Sequence, residues 1–235
     1  MNLGVIIAAG GFGSRMGAGM SKQLMLLVGQ PVVARSTAIF EAVAEVGEIV
    51  IVIDPADVKN CREQVVEKYE LAKVRAVVAG GESRARSVLN GLAELSPDVD
   101  TVLVHDGARP LFPVSLLAPG IREYENGDCD GIVFGIPVTD TIKELASEGG
   151  LIGRTPDRSL LWAAQTPQIF SRAILDKAYG QAPDILASST DDASLVELAG
   201  GRVRMAIGSP ENIKITSPVD LALAEEIIRR RGNKA

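Results

Sequence analysis

The sequence predicts an α/β fold in which a mostly parallel, Rossmann-like sheet carries helices on both faces. Three observations carry this expectation. Branched aliphatic runs alternate with segments of helical spacing along most of the chain, the pattern of repeated strand–helix units. These runs are apolar at successive positions, as strands covered on both faces require. Aromatic residues make up only 4% of the 235 residues, so the core must be built from Val, Ile, Leu and Ala.

The elements follow in order. Leu3–Ala8 reads as a first strand ended by glycines, and Gly10–Gly29 is too rich in glycine and charge for a regular element, so it is expected to be a long functional loop. Pro31 opens a helix to about Ala44, proline being favoured in a first turn. Glu48–Ile53 is a second strand stopped by Asp54-Pro55, followed by a helix over about Asp57–Tyr69. Lys73–Val78 is a third strand, broken by Gly80-Gly81, and Arg84–Leu95 places Val88, Leu92 and Leu95 at helical spacing. Thr101–Val104 is a fourth strand, ending in His105-Asp106-Gly107-Ala108-Arg109-Pro110. A helix over Val114–Glu125 and a strand over Gly131–Ile136 come next. The alternation then stops. Residues 137–161 combine polar alternation with Gly149-Gly150 and are expected to form a β-hairpin arm projecting from a single domain that spans 1–235. Helices near Arg172–Tyr179 and Asp191–Leu198, a strand over Arg202–Ile207 and a helix over Pro218–Arg230 complete the chain. Ligands of such sheets bind beyond the carboxyl ends of the strands, so the loops after the first, third and fourth strands are expected to meet at one site.

Composition removes several function classes. With 46% hydrophobic and 23% charged residues the chain is ordinary globular material, and no period of solenoid length repeats. A formal charge of −6 opposes nucleic acid, and no aromatic–basic stripe offers bases a stacking platform. No run approaches the ~18 apolar residues of a membrane span, and Met1–Gly10 lacks the basic start of a signal peptide. A cytoplasmic protein with neither nucleic-acid nor membrane partners is expected. Cys61 and Cys129 form no metal-ligand spacing and read as reduced structural thiols.

The strongest motif is Ala8-Ala9-Gly10-Gly11-Phe12-Gly13-Ser14-Arg15-Met16-Gly17, followed by Ser21-Lys22-Gln23. Glycines let backbone N–H groups approach phosphate closely, and Arg15 and Lys22 add permanent charge beside them. Such a loop suits a triphosphate whose negative charge grows on the leaving group. Dinucleotide binding fits less well: Met16 stands where a third glycine belongs, and Asp54 lies more than forty residues after Gly11. Tyr69 and Lys73 have the spacing of a short-chain dehydrogenase pair, yet they precede the third strand, far too early for that role. A Walker loop fails because no glycine directly precedes Lys22.

Gly-x-Gly-x-Arg-Met followed by Lys-Gln resembles the nucleotidyltransferases that act on sugar phosphates. Further blocks fall in order: Gly80-Gly81-Glu82-Ser83-Arg84-Ala85-Arg86-Ser87-Val88, Val104–Pro110, Asp140-Thr141-Ile142-Lys143, Thr166-Pro167-Gln168, Thr190-Asp191-Asp192-Ala193 and Asn212-Ile213-Lys214. Together they resemble the 2-C-methyl-D-erythritol 4-phosphate cytidylyltransferases of the non-mevalonate isoprenoid pathway, from Val5 to about Ala224. The resemblance implies in-line attack of a sugar-alcohol phosphate on the α-phosphorus of CTP, with pyrophosphate leaving and Mg2+ or another divalent cation bridging the triphosphate.

By the same resemblance, Arg15 and Lys22 stabilise the pentacoordinate phosphorus, and Asp106 stands near the metal ion. Ala9, Gly10, Gly11 and Gly13 line the triphosphate, with Gly107 and Arg109 beside Asp106. Gly80, Gly81, Glu82 and Ser87 face the cytosine and ribose. Thr141, Arg158, Thr166, Thr190 and Lys214 match the sugar-phosphate side. Thr141 and Arg158 lie on the arm, which in the family reaches a neighbouring subunit, so a homodimer with composite sites is implied. Arg84 and Arg86 read equally as phosphate contacts or solvated helix residues, and His105 as a satisfied neighbour of the metal loop.

Two positions depart from the family pattern. In Ala9-Gly10-Gly11, either Gly10 replaces an alanine or one residue is inserted, and Arg86 stands where a neutral or acidic residue is usual. Within enzymes the nearest alternative is ribitol 5-phosphate cytidylyltransferase, which has similar nucleotide motifs. A non-catalytic nucleotide-sugar sensor is the alternative of another class, and it does not need Arg15, Lys22 and Asp106 together.

Overall fold

A computed structural model describes residues 1–10, 22–147 and 149–232. Gly11, Gly13 and Arg15 lie outside the described residues, as does the side chain of Lys22. Along the chain, strand β1 (Leu3–Ala9) precedes the short pair β2 (Leu26–Leu27) and β3 (Gln30–Pro31), helix α1 (Val32–Glu41), β4 (Val46–Ile53), α2 (Val58–Cys61), β5 (Val74–Ala79) and α3 (Arg84–Glu94). Next come β6 (Thr101–Asp106), α4 (Leu117–Asn126), β7 (Gly131–Pro137), β8 (Glu144–Leu145), β9 (Ile152–Arg154) and β10 (Trp162–Ser171). Helices α5 (Arg172–Tyr179), α6 (Pro183–Ser188) and α7 (Asp192–Leu198), strand β11 (Val203–Ile207) and α8 (Pro218–Gly232) close the fold. Among the described residues no helix is long and apolar enough to cross a membrane.

Seven strands form the main sheet in the order β11-β7-β10-β6-β1-β4-β5. β1 lies between β4 and β6, parallel to both, β5 continues parallel beyond β4, and β11 runs parallel to β7. Alternate side chains of one strand serve opposite faces. Val5 and Ile7 pack with Val33 and Phe40 of α1 and Leu117 of α4, whereas Ile6 packs with Val88 and Leu92 of α3. Every residue of β6 is buried, which explains its unbroken apolar start.

One strand runs against the rest. β10 is antiparallel to both β6 and β7, and the sequence carries no strand signal there. Gln165, Thr166 and Gln168 make the segment look like a loop, yet all three are buried. Their side chains hydrogen-bond to other elements, which removes the cost of burying them. The pairing with β7 shifts between Ala164 and Gln168, where Pro167 has no N–H to offer.

Smaller differences have local causes. Pro31 caps α1 from outside, and the helix ends at Glu41. The expected helix at Asp57–Tyr69 is a 3-10 turn, four α-helical residues and a π turn over Arg62–Glu67. The described end of the expected Gly10–Gly29 loop is partly regular: Lys22–Leu24 is a 3-10 turn, and β2 pairs with β3 across Val28-Gly29, both at positive φ. Arg35 donates to the carbonyls of Leu27 (2.7 Å) and Val28 (3.0 Å), which holds a β-branched residue in a backbone region it disfavours. Within residues 137–161, β8 and β9 pair antiparallel, and Leu145, Leu151, Ile152 and Leu160 are exposed, Leu160 by 79%.

Candidate active site

Three loops meet at the carboxyl edge of the sheet. The Gly107 N–H donates to the Ala8 carbonyl (2.9 Å), joining the chain after β6 to buried Ala9 at the end of β1. The Gly80 N–H donates to the Ile53 carbonyl (2.7 Å), fixing the turn after β5. Gly10 and Gly80 approach so closely that a methyl on Gly80 would lie 2.9 Å from Ser87 Oγ and 3.2 Å from Gly10 Cα. The glycines are therefore needed for backbone approach. Gly80→Ala is expected to lower stability by about 1–3 kcal/mol, the usual strain of overpacking. Urea unfolding midpoints of the two proteins check this.

Ser87 locks the same turn. Its Oγ accepts from the Gly81 N–H (3.1 Å) and donates to the Ser83 carbonyl (2.9 Å), while Ser83 Oγ caps α3 by accepting from the Arg86 N–H (3.1 Å). The Ser87 proton is thus in use, and only a lone pair remains for a ligand. The Glu82 and Arg86 side chains are exposed and line a separate groove of about 760 Å3 with Tyr179 and Leu186.

Two cavities adjoin at the meeting point. One, of about 140 Å3, is lined by Gly10, Gln23, Ser87 and Ala108 among others. The second, of about 220 Å3, is lined by Arg109, Gln165, Thr190 and Asp191 among others. Arg84, Asp106 and Lys214 line both, so they stand at the junction. Asp106 is nearly buried amid cations. Its Oδ1 lies 3.3 Å from Arg84 Nε, and its Oδ2 lies 2.9 Å from Lys214 Nζ and 3.4 Å from Arg109 Nε. Burial opposes ionisation of this carboxyl, but Arg84, Lys214 and Arg109 outweigh it and hold the group well below the usual carboxylate range.

The strap that carries Lys214 is pinned from both ends. Asn212 Nδ2 donates to Gln165 Oε1 (3.1 Å) and the Thr166 carbonyl (2.9 Å), and Arg109 Nη1 donates to the Asn212 carbonyl (2.8 Å). The Ile215 N–H donates to the Ala108 carbonyl (2.8 Å). Arg109 thus ties two loops together through Nη1 while its Nε faces Asp106 and its side chain lines the second cavity.

His105 and Thr166 form a second buried tie. His105 Nε2 lies 2.9 Å from the Arg109 carbonyl, which can only accept, so Nε2 carries the proton. Nδ1 then accepts from the Thr166 hydroxyl at 3.1 Å, and Thr166 Oγ1 accepts from the Asp106 N–H at 2.9 Å. Burial pushes the imidazole down to about 4, with the Arg109 carbonyl and Asp106 pulling the other way. A neutral ring with both nitrogens engaged is a clamp, not an acid or base. Thr166 stands behind Asp106 with its hydroxyl committed to His105, and it also lines the second cavity with Thr190.

Other expected site residues separate. Thr190 lines the second cavity, but Thr141 and Arg158 are exposed on the arm and line neither, with Arg158 Nη1 donating to the Thr139 carbonyl (2.6 Å). The motif blocks contain Asp192, Gln168 and Asn212 but give them no role, and they leave Arg84 open between two. A signal for Arg84 existed. It is the first residue of α3, where the helix dipole disfavours a cation, so another group must hold it there.

Among the described residues no group of three His, Cys, Asp or Glu side chains could hold a metal alone. One carboxylate at a cationic junction fits a hard divalent cation that arrives mainly on phosphate oxygens. Glycine-lined approach, a parallel sheet edge and one carboxylate among cations define a nucleotidyltransferase.

Comparisons with known proteins narrow the class. The sequence model of the 2-C-methyl-D-erythritol 4-phosphate cytidylyltransferase family (IspD) matches residues 3–230. Proteins of that name from Syntrophotalea carbinolica and Alkaliphilus metalliredigens are 44% and 42% identical, over 99% and 97% of this chain and 99% and 93% of theirs. The crystal structure of 4-diphosphocytidyl-2C-methyl-D-erythritol synthase from Anaerococcus prevotii superposes with a TM-score of 0.82 at 28% identity, covering 97% of this chain and 96% of that one. The 2-C-methyl-D-erythritol 4-phosphate cytidylyltransferase of Thermus thermophilus gives 0.74 at 30% identity, over 97% and 100%. The chain belongs to the 2-C-methyl-D-erythritol 4-phosphate cytidylyltransferase family.

Proposed function

We propose that the chain transfers the cytidylyl group of CTP to 2-C-methyl-D-erythritol 4-phosphate and releases pyrophosphate. The observation that carries this is the junction. Arg84, Asp106 and Lys214 stand between a glycine-lined cavity suited to the nucleotide and a polar cavity lined by Thr190 and Gln165. Attack on the α-phosphorus belongs at that boundary. The attacking phosphate monoester is ionised at neutral pH, its second pKa being about 6, so no general base is required. The clamped, neutral His105 agrees with that. The chain's task is to position two anions and neutralise charge.

Family membership supports the roles, with the positions of the described residues beside it. The backbone at Ala9, Gly10, Gly80 and Gly81 receives the nucleotide, and Arg15 and Lys22 stabilise the pentacoordinate phosphorus. Lys214 supplies a cation to the attacking phosphate. Among the described residues Asp106 is the junction carboxylate that would hold Mg2+, which would neutralise charge on the triphosphate. A cytoplasmic setting, where CTP is made, suits this chemistry.

Pyrophosphate release with CTP and Mg2+ tests the reading. Turnover is expected with methylerythritol 4-phosphate and not with ribitol 5-phosphate. The reverse preference would move the enzyme to a different polyol phosphate, and silence with both would remove the reading.

The arm completes the site in a homodimer. Thr141 and Arg158 reach neither cavity of their own chain, and the arm exposes Leu145, Leu151, Ile152 and Leu160 together. Arg158→Ala and Lys214→Ala are each expected to be nearly inactive. Mixed by co-expression, they should regain about a quarter of wild-type activity, because a two-fold heterodimer keeps one intact site. Absence of any regain would place Arg158 in its own chain's site.

A further inference from the structure

Arg84 is held from behind. Its Nη2 donates to Asp192 Oδ2 at 2.7 Å, while its Nε faces Asp106 Oδ1 at 3.3 Å. Asp192 is fully buried, and its other oxygen accepts from the buried Tyr179 hydroxyl. Both oxygens of Asp192 are therefore assigned, one to each neighbour. A guanidinium is planar, so fixing Nη2 also fixes the direction in which Nε–H points.

The frame around Asp192 is rigid. Asp191 caps α7, with Oδ1 accepting from the Ser194 N–H (3.0 Å) and Oδ2 from Gln168 Nε2 (2.9 Å). Gln168 Oε1 accepts in turn from the Ala193 N–H (3.1 Å), tying α7 to β10. Tyr179 lines neither cavity at the junction. Its hydroxyl reaches the junction only through Asp192 and Arg84.

We propose that Tyr179 and Asp192 are positioning residues which, through Arg84, fix the Asp106 carboxylate for the metal-bound nucleotide. Arg84 occupies Oδ1, so Oδ2 is the oxygen turned toward Lys214 and the incoming charge. Without the tyrosine hydroxyl, Asp192 is free to rotate, Arg84 Nη2 loses its anchor, and the Oδ1 contact is no longer directed. This proposal rests on the cytidylyltransferase reading.

Calorimetric titration of the full chain with Mg2+–CTP tests it, using wild type, Tyr179→Phe, Arg84→Lys and the double variant, with the melting temperature of each recorded. Tyr179→Phe keeps the ring and is expected to weaken binding about fivefold. Arg84→Lys keeps the charge but cannot bridge two carboxylates in a fixed plane, and is expected to weaken binding at least as much. The double variant should be no weaker than Arg84→Lys alone. Multiplying losses would overturn the relay, since Tyr179 would then act without Arg84, and so would wild-type binding by Tyr179→Phe. If Tyr179→Phe does not fold, unchanged affinity in Arg84→Lys overturns the proposal and weakened affinity upholds its Arg84 step. A wild-type chain that binds no Mg2+–CTP marks failure of the cytidylyltransferase reading itself.

Discussion

Replacing Asp106 by asparagine is expected to lower turnover with Mg2+–CTP roughly a hundred- to thousandfold, the loss usual for one preorganised charge-stabilising group. The same change should tighten binding of CTP added with EDTA. The two effects have opposite sign because the carboxylate has two opposed influences. Among the described residues it is the one carboxylate at the junction without a committed cap or arginine–tyrosine pair, so on the proposed function a divalent cation would lose its protein ligand. It also offsets Arg84, Lys214 and Arg109, which lie within 3.4 Å, and its removal leaves a more positive pocket for a bare triphosphate. Stability should fall by less than the ~3–5 kcal/mol of an uncompensated buried ion. Arg84 keeps Asp192, and Lys214, 40% exposed, can turn to water. Pyrophosphate release across a Mg2+ titration, with calorimetry of CTP in EDTA, measures both. Equal turnover in the variant would reduce Asp106 to a tie between loops.

Much of the fold was legible because apolar runs report burial directly. β1, β4, β5 and β6 announce themselves by successive branched residues, and the glycines at 10, 80 and 107 mark where backbones must touch. β10 was illegible for a physical reason. Its Gln165, Thr166 and Gln168 are buried by hydrogen bonds to partners distant in sequence, including Asn212, His105 and Asp191, and no local pattern encodes such partners. The site divides in the same way. That Gly10, Asp106 and Lys214 line one cavity was expected from motif order, since each sits in a local block. The commitment of Thr166 to His105 and of Arg84 to Asp192 was not, because it depends on which strand lies beside which. Once β10 is placed next to β6, both follow.

His105 gives the chain a pH dependence of stability that activity measurements alone would misread. The folded protein holds the imidazole neutral because burial pushes it down to about 4, while in the unfolded chain it titrates near 6.5. Above both values neither state binds the proton, and stability is at its full value. As pH falls through 6.5 the unfolded chain takes up a proton that the folded chain refuses, so stability is lost progressively until about pH 4. That interval corresponds to on the order of 3 kcal/mol, a large part of the stability of an ordinary domain. Asp106 adds to the loss only at lower pH. Its folded value is depressed, so its contribution is present above the unfolded carboxylate value near 4 and disappears as pH falls further. Urea unfolding midpoints at pH 7, 6, 5 and 4.5 should therefore fall steadily for the wild type. His105→Gln should start lower at pH 7, because the tie to Arg109 and Thr166 is broken, yet lose little between pH 6.5 and 4.5. Parallel curves for the two proteins would mean that the acid sensitivity resides in other groups. Activity across the same range follows a different group, because the attacking phosphate monoester, with a second pKa of about 6, loses charge there, giving an apparent titration near that of an imidazole although no imidazole transfers a proton in the reaction. Initial rates of His105→Gln should therefore fall with pH as those of the wild type do.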